Sequence, residues 1–143
     1  MDHADLRRNS VLFWLVVLIA AGIIFIGARF LVAPVAGAAG FGVPADGMPT
    51  MAYLWAKGVR DIVSGLLLFL LLAMNAGRRI IAAFILVATL IPAADFVNVY
   101  LNVGSSGALT IHGGTAVFML VLAALLWPKA TARQTWVEHG QAA

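Results

Sequence analysis

Residues 60–72 read RDIVSGLLLFLLL, in which one charged pair, Arg60-Asp61, opens eleven positions that carry no charge. The run neither alternates polar with apolar residues, as a strand of a membrane barrel would, nor leaves a polar face for water. Three further stretches share this character. With boundaries at about 10–32, 58–76, 80–101 and 108–127, each of the four runs approaches the roughly 20 residues that cross a ~30 Å hydrocarbon layer. The sequence therefore reads as an all-α, polytopic membrane four-helix bundle, a single domain over residues 1–143.

Composition points the same way. Of 143 residues, 63% are hydrophobic and 10% charged, and mean hydropathy is +1.01, whereas a soluble domain is typically about 45–50% apolar and about 25% charged. The formal charge of +3 and the pI near 10.0 do not describe a nucleic-acid-binding face, because the basic residues punctuate the apolar runs instead of forming one patch. Without cysteine, the chain has no disulfide, thiolate metal site, iron–sulfur cluster or cysteine nucleophile. The first apolar run is too long for the hydrophobic region of a signal peptide and reads as a retained span.

Lys and Arg near the span ends set the orientation. Arg7 and Arg8 precede the first span, Arg78 and Arg79 fill the turn between the second and third, and Lys129 and Arg133 follow the fourth. In the loops of the other side only Lys57 is basic. Both termini, including a short tail over 128–143, are expected in the cytoplasm, as for a multi-pass protein of a bacterial inner membrane. The outer side then holds a loop over 33–49 and a short turn over 102–107. Gly37, Gly40, Gly42 and Gly47, lying between Pro34 and Pro49, argue against a helix interior there. A helical segment capped by Thr50 can run straight into the second span. Tyr53, Trp55, Tyr100 and Trp127 fall where interfacial aromatic belts form. No internal repeat of the kind found in inverted-repeat transporters is present.

Counting from the basic anchors gives the depth of the ionisable residues. Asp61 is 17 residues from Arg78, Asp95 is 16 from Arg79 and His112 is 17 from Lys129, so at about 1.5 Å per residue each sits roughly 24–26 Å from its anchor. Arg60, 18 residues from Arg78, and Arg29, 21 from Arg8, fall at a similar level. Four spans thus deliver Arg29, Arg60, Asp61, Asp95 and His112 to one depth in the outer third of the bilayer, above an apolar remainder. Charges within a span are costly and point to function by default.

Helical spacing places Asp61, Ser64 and Gly65 on one stripe, with Lys57 one turn before Asp61. Asp95, Asn98 and Asn102 climb one face of the third span. Three residues before Asp95, Pro92 cannot donate to the Ala88 carbonyl. His112 is followed by Gly113-Gly114, which permit close approach of another helix or a ligand, and Thr115 lies one turn on.

Two readings of this set compete. Arg29, Arg60, Asp61 and Asp95 balance in charge and can simply pin the helices together, and a lone histidine is more often hydrogen-bonded than catalytic. Against that stands the surplus of polar groups at the same end: Tyr53, Lys57, Asn98, Tyr100, Asn102 and Thr115. Read chemically, Asp61, Asp95 and His112 are proton-transfer groups, and Arg29, Arg60, Lys57, Tyr53, Asn98 and Tyr100 bind and orient. No His–carboxylate spacing marks a metal site, and no cofactor is expected; a haem on His112 alone is the weakest alternative. Gly40-Phe41-Gly42 lacks the rest of a nucleotide fingerprint.

Gly27-x-Arg29, Pro34, Gly40-Phe41-Gly42-Val43-Pro44, Lys57-Gly58-Val59-Arg60-Asp61, Pro92-x-x-Asp95 and His112 together resemble an uncharacterised family of small four-helix integral membrane proteins, a domain of unknown function (DUF4267). The likeness covers nearly the whole chain, and its Gly-x-Arg-Asp segment is the most distinctive part. It implies the four-span layout and carries no activity.

The expected function is a pocket, open to the outer leaflet, that binds a small lipophilic molecule, with acid–base catalysis of an isomerase, cyclase or epoxide-opening type. A second class is proton- or ion-coupled transport by a homodimer, against which the apolar inner part argues. A third is a structural or accessory membrane subunit that associates through Gly113 and Gly114. The expected partners are the lipid bilayer, a small lipophilic ligand and, for a homo-oligomer, a second copy of the chain; nucleic acid is not among them.

Overall fold

A computed structural model describes Leu6 and residues 10–42, 48–102 and 106–127. It contains α1 (Val11–Val32), α2 (Pro34–Phe41), α3 (Met48–Ala73), α4 (Arg78–Ala88), α5 (Leu90–Asn102) and α6 (Ser106–Leu126), with no strand among the described residues. Three helical stretches are long and apolar enough to cross a membrane: α1, the α4–α5 unit Arg78–Asn102, and α6 from Gly107. At 26 residues α3 is as long, but it carries Lys57, Arg60 and Asp61 around its middle. Trp14, Leu18, Phe25, Leu70 and Val121 are exposed on the outside of the bundle. In lipid that is the ordinary condition of apolar side chains, and the protein is a membrane protein. Arg7, Arg8, Lys129 and Arg133, on which the expected orientation turns, lie outside the described residues.

The Ser10 hydroxyl starts α1 by accepting from the Phe13 N–H at 3.2 Å. The expected outer loop is partly wrong: Pro34–Phe41 forms a helix. Pro34 fits its first turn, where no backbone donor is needed, and Ala36, Ala38 and Ala39 favour helix. The two glycines that argued against it are where α2 rests on α1. A Cβ on Gly37 would lie 3.1 Å from the Phe30 ring, and one on Gly40 3.6 Å from the Arg29 guanidinium. Gly42, at φ 94°, ends α2 in the left-handed region and donates to the Ala38 carbonyl at 3.0 Å. The remainder of the expected loop, residues 43–47, lies outside the described residues.

The second helix also begins earlier than expected. α3 starts at Met48, so Thr50 falls inside its first turn and is not its cap, while Pro49 is tolerated there for the same reason as Pro34. The expected third span is divided at Thr89 into α4 and α5. Pro92 supplies no N–H to Ala88 and its ring crowds that carbonyl. Thr89 bridges the break: its N–H and hydroxyl both donate to Ile85, at 2.9 and 2.8 Å.

Where α1 crosses α3, glycines let the backbones touch. A Cβ on Gly27 would lie 2.6 Å from the Gly58 carbonyl oxygen, and one on Gly65 2.7 Å from that of Ala20. The buried stripe of α3 runs Gly58, Asp61, Gly65, Leu68, so the face that closes on α1 also carries a carboxylate inward. Within the described residues no backbone closes on Gly113-Gly114: a Cβ on Gly113 would meet the Phe96 ring at 3.3 Å, and one on Gly114 open space. Val16, Leu68, Ile81, Ile85, Met119 and Leu126 fill the core of the half nearer Arg78. Phe30, Phe41, Val99 and Ala108 form a second, smaller core at the opposite end. Arg78 donates to the Leu125 carbonyl at 3.0 Å, a cation on the last carbonyls of α6.

Candidate functional site

Between the two cores lies a cavity of about 230 Å³ to which all six helices contribute. Its polar wall is built around Lys57. From α3 the ammonium reaches one turn along to Asp61, at 2.7 Å from Oδ2, and across to α5, at 3.2 Å from Oδ2 of Asp95. Arg60 grips the other oxygen of Asp61 through Nε and a terminal nitrogen, at 3.0 and 2.9 Å, and stands 3.7 Å from Oδ1 of Asp95. Asp61 is only 3% exposed, and all of its charge is met by these two cations. Two carboxylates and two cations cancel, which is how a charged cluster is tolerated in an apolar bundle.

Aromatic rings enclose the remaining side of the lysine. Its Nζ lies 4.9 Å from the centre of the Phe30 ring and 4.8 Å from that of Phe41, within range of cation–π attraction. Phe41 is brought there by α2, and α2 is held by His112. The Nε2 of His112 lies 3.1 Å from the Phe41 carbonyl, and the two rings meet edge-on with centroids 4.6 Å apart. A carbonyl only accepts, so Nε2 carries the hydrogen, and in the neutral ring Nδ1 is the acceptor. The imidazole thus satisfies the last carbonyl of α2, which the helix itself leaves unpaired.

Arg29 lines the same cavity but stays out of the ion-pair cluster. Its guanidinium donates to the Ala36 carbonyl of α2 at 3.4 Å and is not paired with Asp61 or Asp95. The expected balance of Arg29 and Arg60 against two aspartates is therefore corrected. Lys57 takes the place of Arg29, because the α1 register points Arg29 under α2 while Lys57 shares the Asp61 face of α3.

The family model described as domain of unknown function (DUF4267) matches residues 20–126. The chain belongs to this family. The DUF4267 match takes in every residue of the cluster and the cavity, from Ile23 to Met119. No curated protein and no solved structure matches the chain.

Within this DUF4267 chain, Tyr53, Asn98 and Tyr100 do not join the site. Tyr53 and Tyr100 are exposed, and Asn98 is engaged on the helix surface, where its carbonyl and side-chain oxygens accept from Asn102 at 2.9 and 2.8 Å. Their helical positions carry them to the outside. Thr115 does line the cavity, but its hydroxyl is turned back to the Ile111 carbonyl at 2.8 Å. Phe30 and Phe41, which embrace Lys57, carry no signal of their own in so apolar a sequence. The one hint is that Phe41 stands between Gly40 and Gly42.

Proposed function

We propose that this protein spans the membrane four times, as one domain with both termini cytoplasmic, and that its cavity binds a small lipophilic molecule. The observation that carries the reading is the cavity itself. Apolar side chains such as Ile23, Ile91 and Met119 share its lining with Lys57, Asp61, Asp95 and His112. Ligand sites have this composition, mostly apolar with a few convergent polar groups. Its volume of about 230 Å³ lies just below the usual range of about 300–1,000 Å³, which suits a small molecule better than a whole membrane lipid. The acid–base groups of this reading are Asp61, Asp95 and His112; Nε2 of His112 is committed to the Phe41 carbonyl, which leaves Nδ1 as its acceptor, while Asp61 and Asp95 also hold Lys57 in place.

One observation favours a purely structural role. Both aspartates are fully occupied by Lys57 and Arg60, as in a network that pins helices. Mass spectrometry of small molecules retained by the detergent-purified protein separates the two readings. Binding predicts a recurrent lipophilic species that is lost when Ile91→Trp fills the cavity. Identical extracts from wild type and from an equally stable Ile91→Trp variant would leave the structural role.

A further inference from the structure

We infer that the molecule bound in the cavity is an anionic amphiphile, its carboxylate or phosphate head held by Arg29 and its tail leaving between α1 and α6. The inference rests on the binding reading above and adds the charge and the direction of the ligand. It begins with a count of charges. Lys57, Arg60, Asp61 and Asp95 neutralise one another within 4 Å, so none of them calls for an ion from outside. Two of the three ammonium donors of Lys57 go to carboxylates, and rings cover the rest of it.

Arg29 is different. It lines the cavity with five N–H donors, of which the described residues engage one, in a 3.4 Å bond to the Ala36 carbonyl. That hydrogen bond and the contact with Gly40 lay it under α2, with its outer side exposed. A guanidinium at the exposed edge of an apolar cavity, with no carboxylate partner among the described residues, matches the planar oxygens of a carboxylate or phosphate. The tail has a way out. Ile26 of α1 and Ile111 of α6 line the cavity and are also 46% and 60% exposed, on helices that touch each other only slightly.

The test is binding of labelled dodecanoate, dodecyl phosphate, dodecanol and phosphatidylglycerol to the full chain in a neutral detergent. Dodecanoate or dodecyl phosphate is expected to bind wild type, and Arg29→Gln to weaken it by at least about tenfold, the loss of one charge-assisted contact. Arg29→Lys keeps the charge but loses the planar fork, so it should bind the anions more weakly than wild type and more tightly than Arg29→Gln, while dodecanol binding should not depend on residue 29. Phosphatidylglycerol bound in preference to both single-chain anions, and in an Arg29-dependent way, would identify the head as that of a bilayer lipid. The inference is overturned if dodecanol binds as tightly as dodecanoate, or if Arg29→Gln leaves anion binding unchanged; the pocket itself survives both results. Failure of every probe, neutral and charged alike, to bind wild type would remove the pocket as well. Should Arg29→Gln not fold, Arg29→Lys and the wild-type ratio of dodecanoate to dodecanol decide the question.

Discussion

The ammonium of Lys57 on α3 lies 3.2 Å from the carboxylate of Asp95 on α5, an ion pair between positions 38 residues apart. The two helices share few other contacts, so this pair bridges the cavity rather than a packed seam. Its removal should be felt by the whole bundle. Lys57→Met leaves Asp95 with only Arg60, at 3.7 Å, and is expected to cost about 3 kcal/mol, the low end for breaking a buried pair. Adding Asp95→Asn should restore part of that loss, since the carboxylate no longer needs its cation. Thermal unfolding in detergent across the double-mutant cycle measures the coupling.

The aspartates should not be equivalent. Asp61 is the more buried and accepts from both cations, whereas Asp95 makes one short pair and one long one. Asp61→Asn is therefore expected to lower the unfolding temperature more than Asp95→Asn. Equal losses would mean that the cluster acts as one undivided unit.

Backbone contact between α1 and α3 gives a sharper test of the fold. Gly58→Ala would set a Cβ 2.8 Å from the Gly27 carbonyl oxygen, and backbone cannot step aside as a flexible side chain can. Overpacking of this kind costs about 1–3 kcal/mol. At Gly114 the added methyl meets nothing within 4 Å, so Gly114→Ala should be neutral or stabilising by up to about 1 kcal/mol through helix propensity. Unfolding of the two variants side by side checks the contrast.

His112 should control α2 more than the rest of the bundle. His112→Phe keeps a ring against Phe41 but removes the donor to its carbonyl, a loss of about 1–2 kcal/mol. Hydrogen exchange over residues 34–41 is expected to quicken while the α1–α3 contact stays protected. Unchanged exchange in α2 would show that Phe41 packing alone holds it.

The amino-acid order by itself determined the solvent and the level at which the charges lie. Long uncharged runs leave no polar surface for water, and the rise of a helix converts spacing from Arg78 and Arg79 into depth, so Arg60, Asp61 and Asp95 could be expected near one another. Helical phase likewise placed Lys57 beside Asp61. Only tertiary structure decided which cation serves Asp95, because Arg29 and Lys57 lie at similar depths and differ in the direction their helices turn them. It alone also made α2 a helix, since Gly37 and Gly40 have poor propensity and are helical through contact with Phe30 and Arg29. The same rotation carried Tyr53, Asn98 and Tyr100 outward: spacing along a chain fixes height in a bundle, while facing is fixed only when the neighbouring helices have packed.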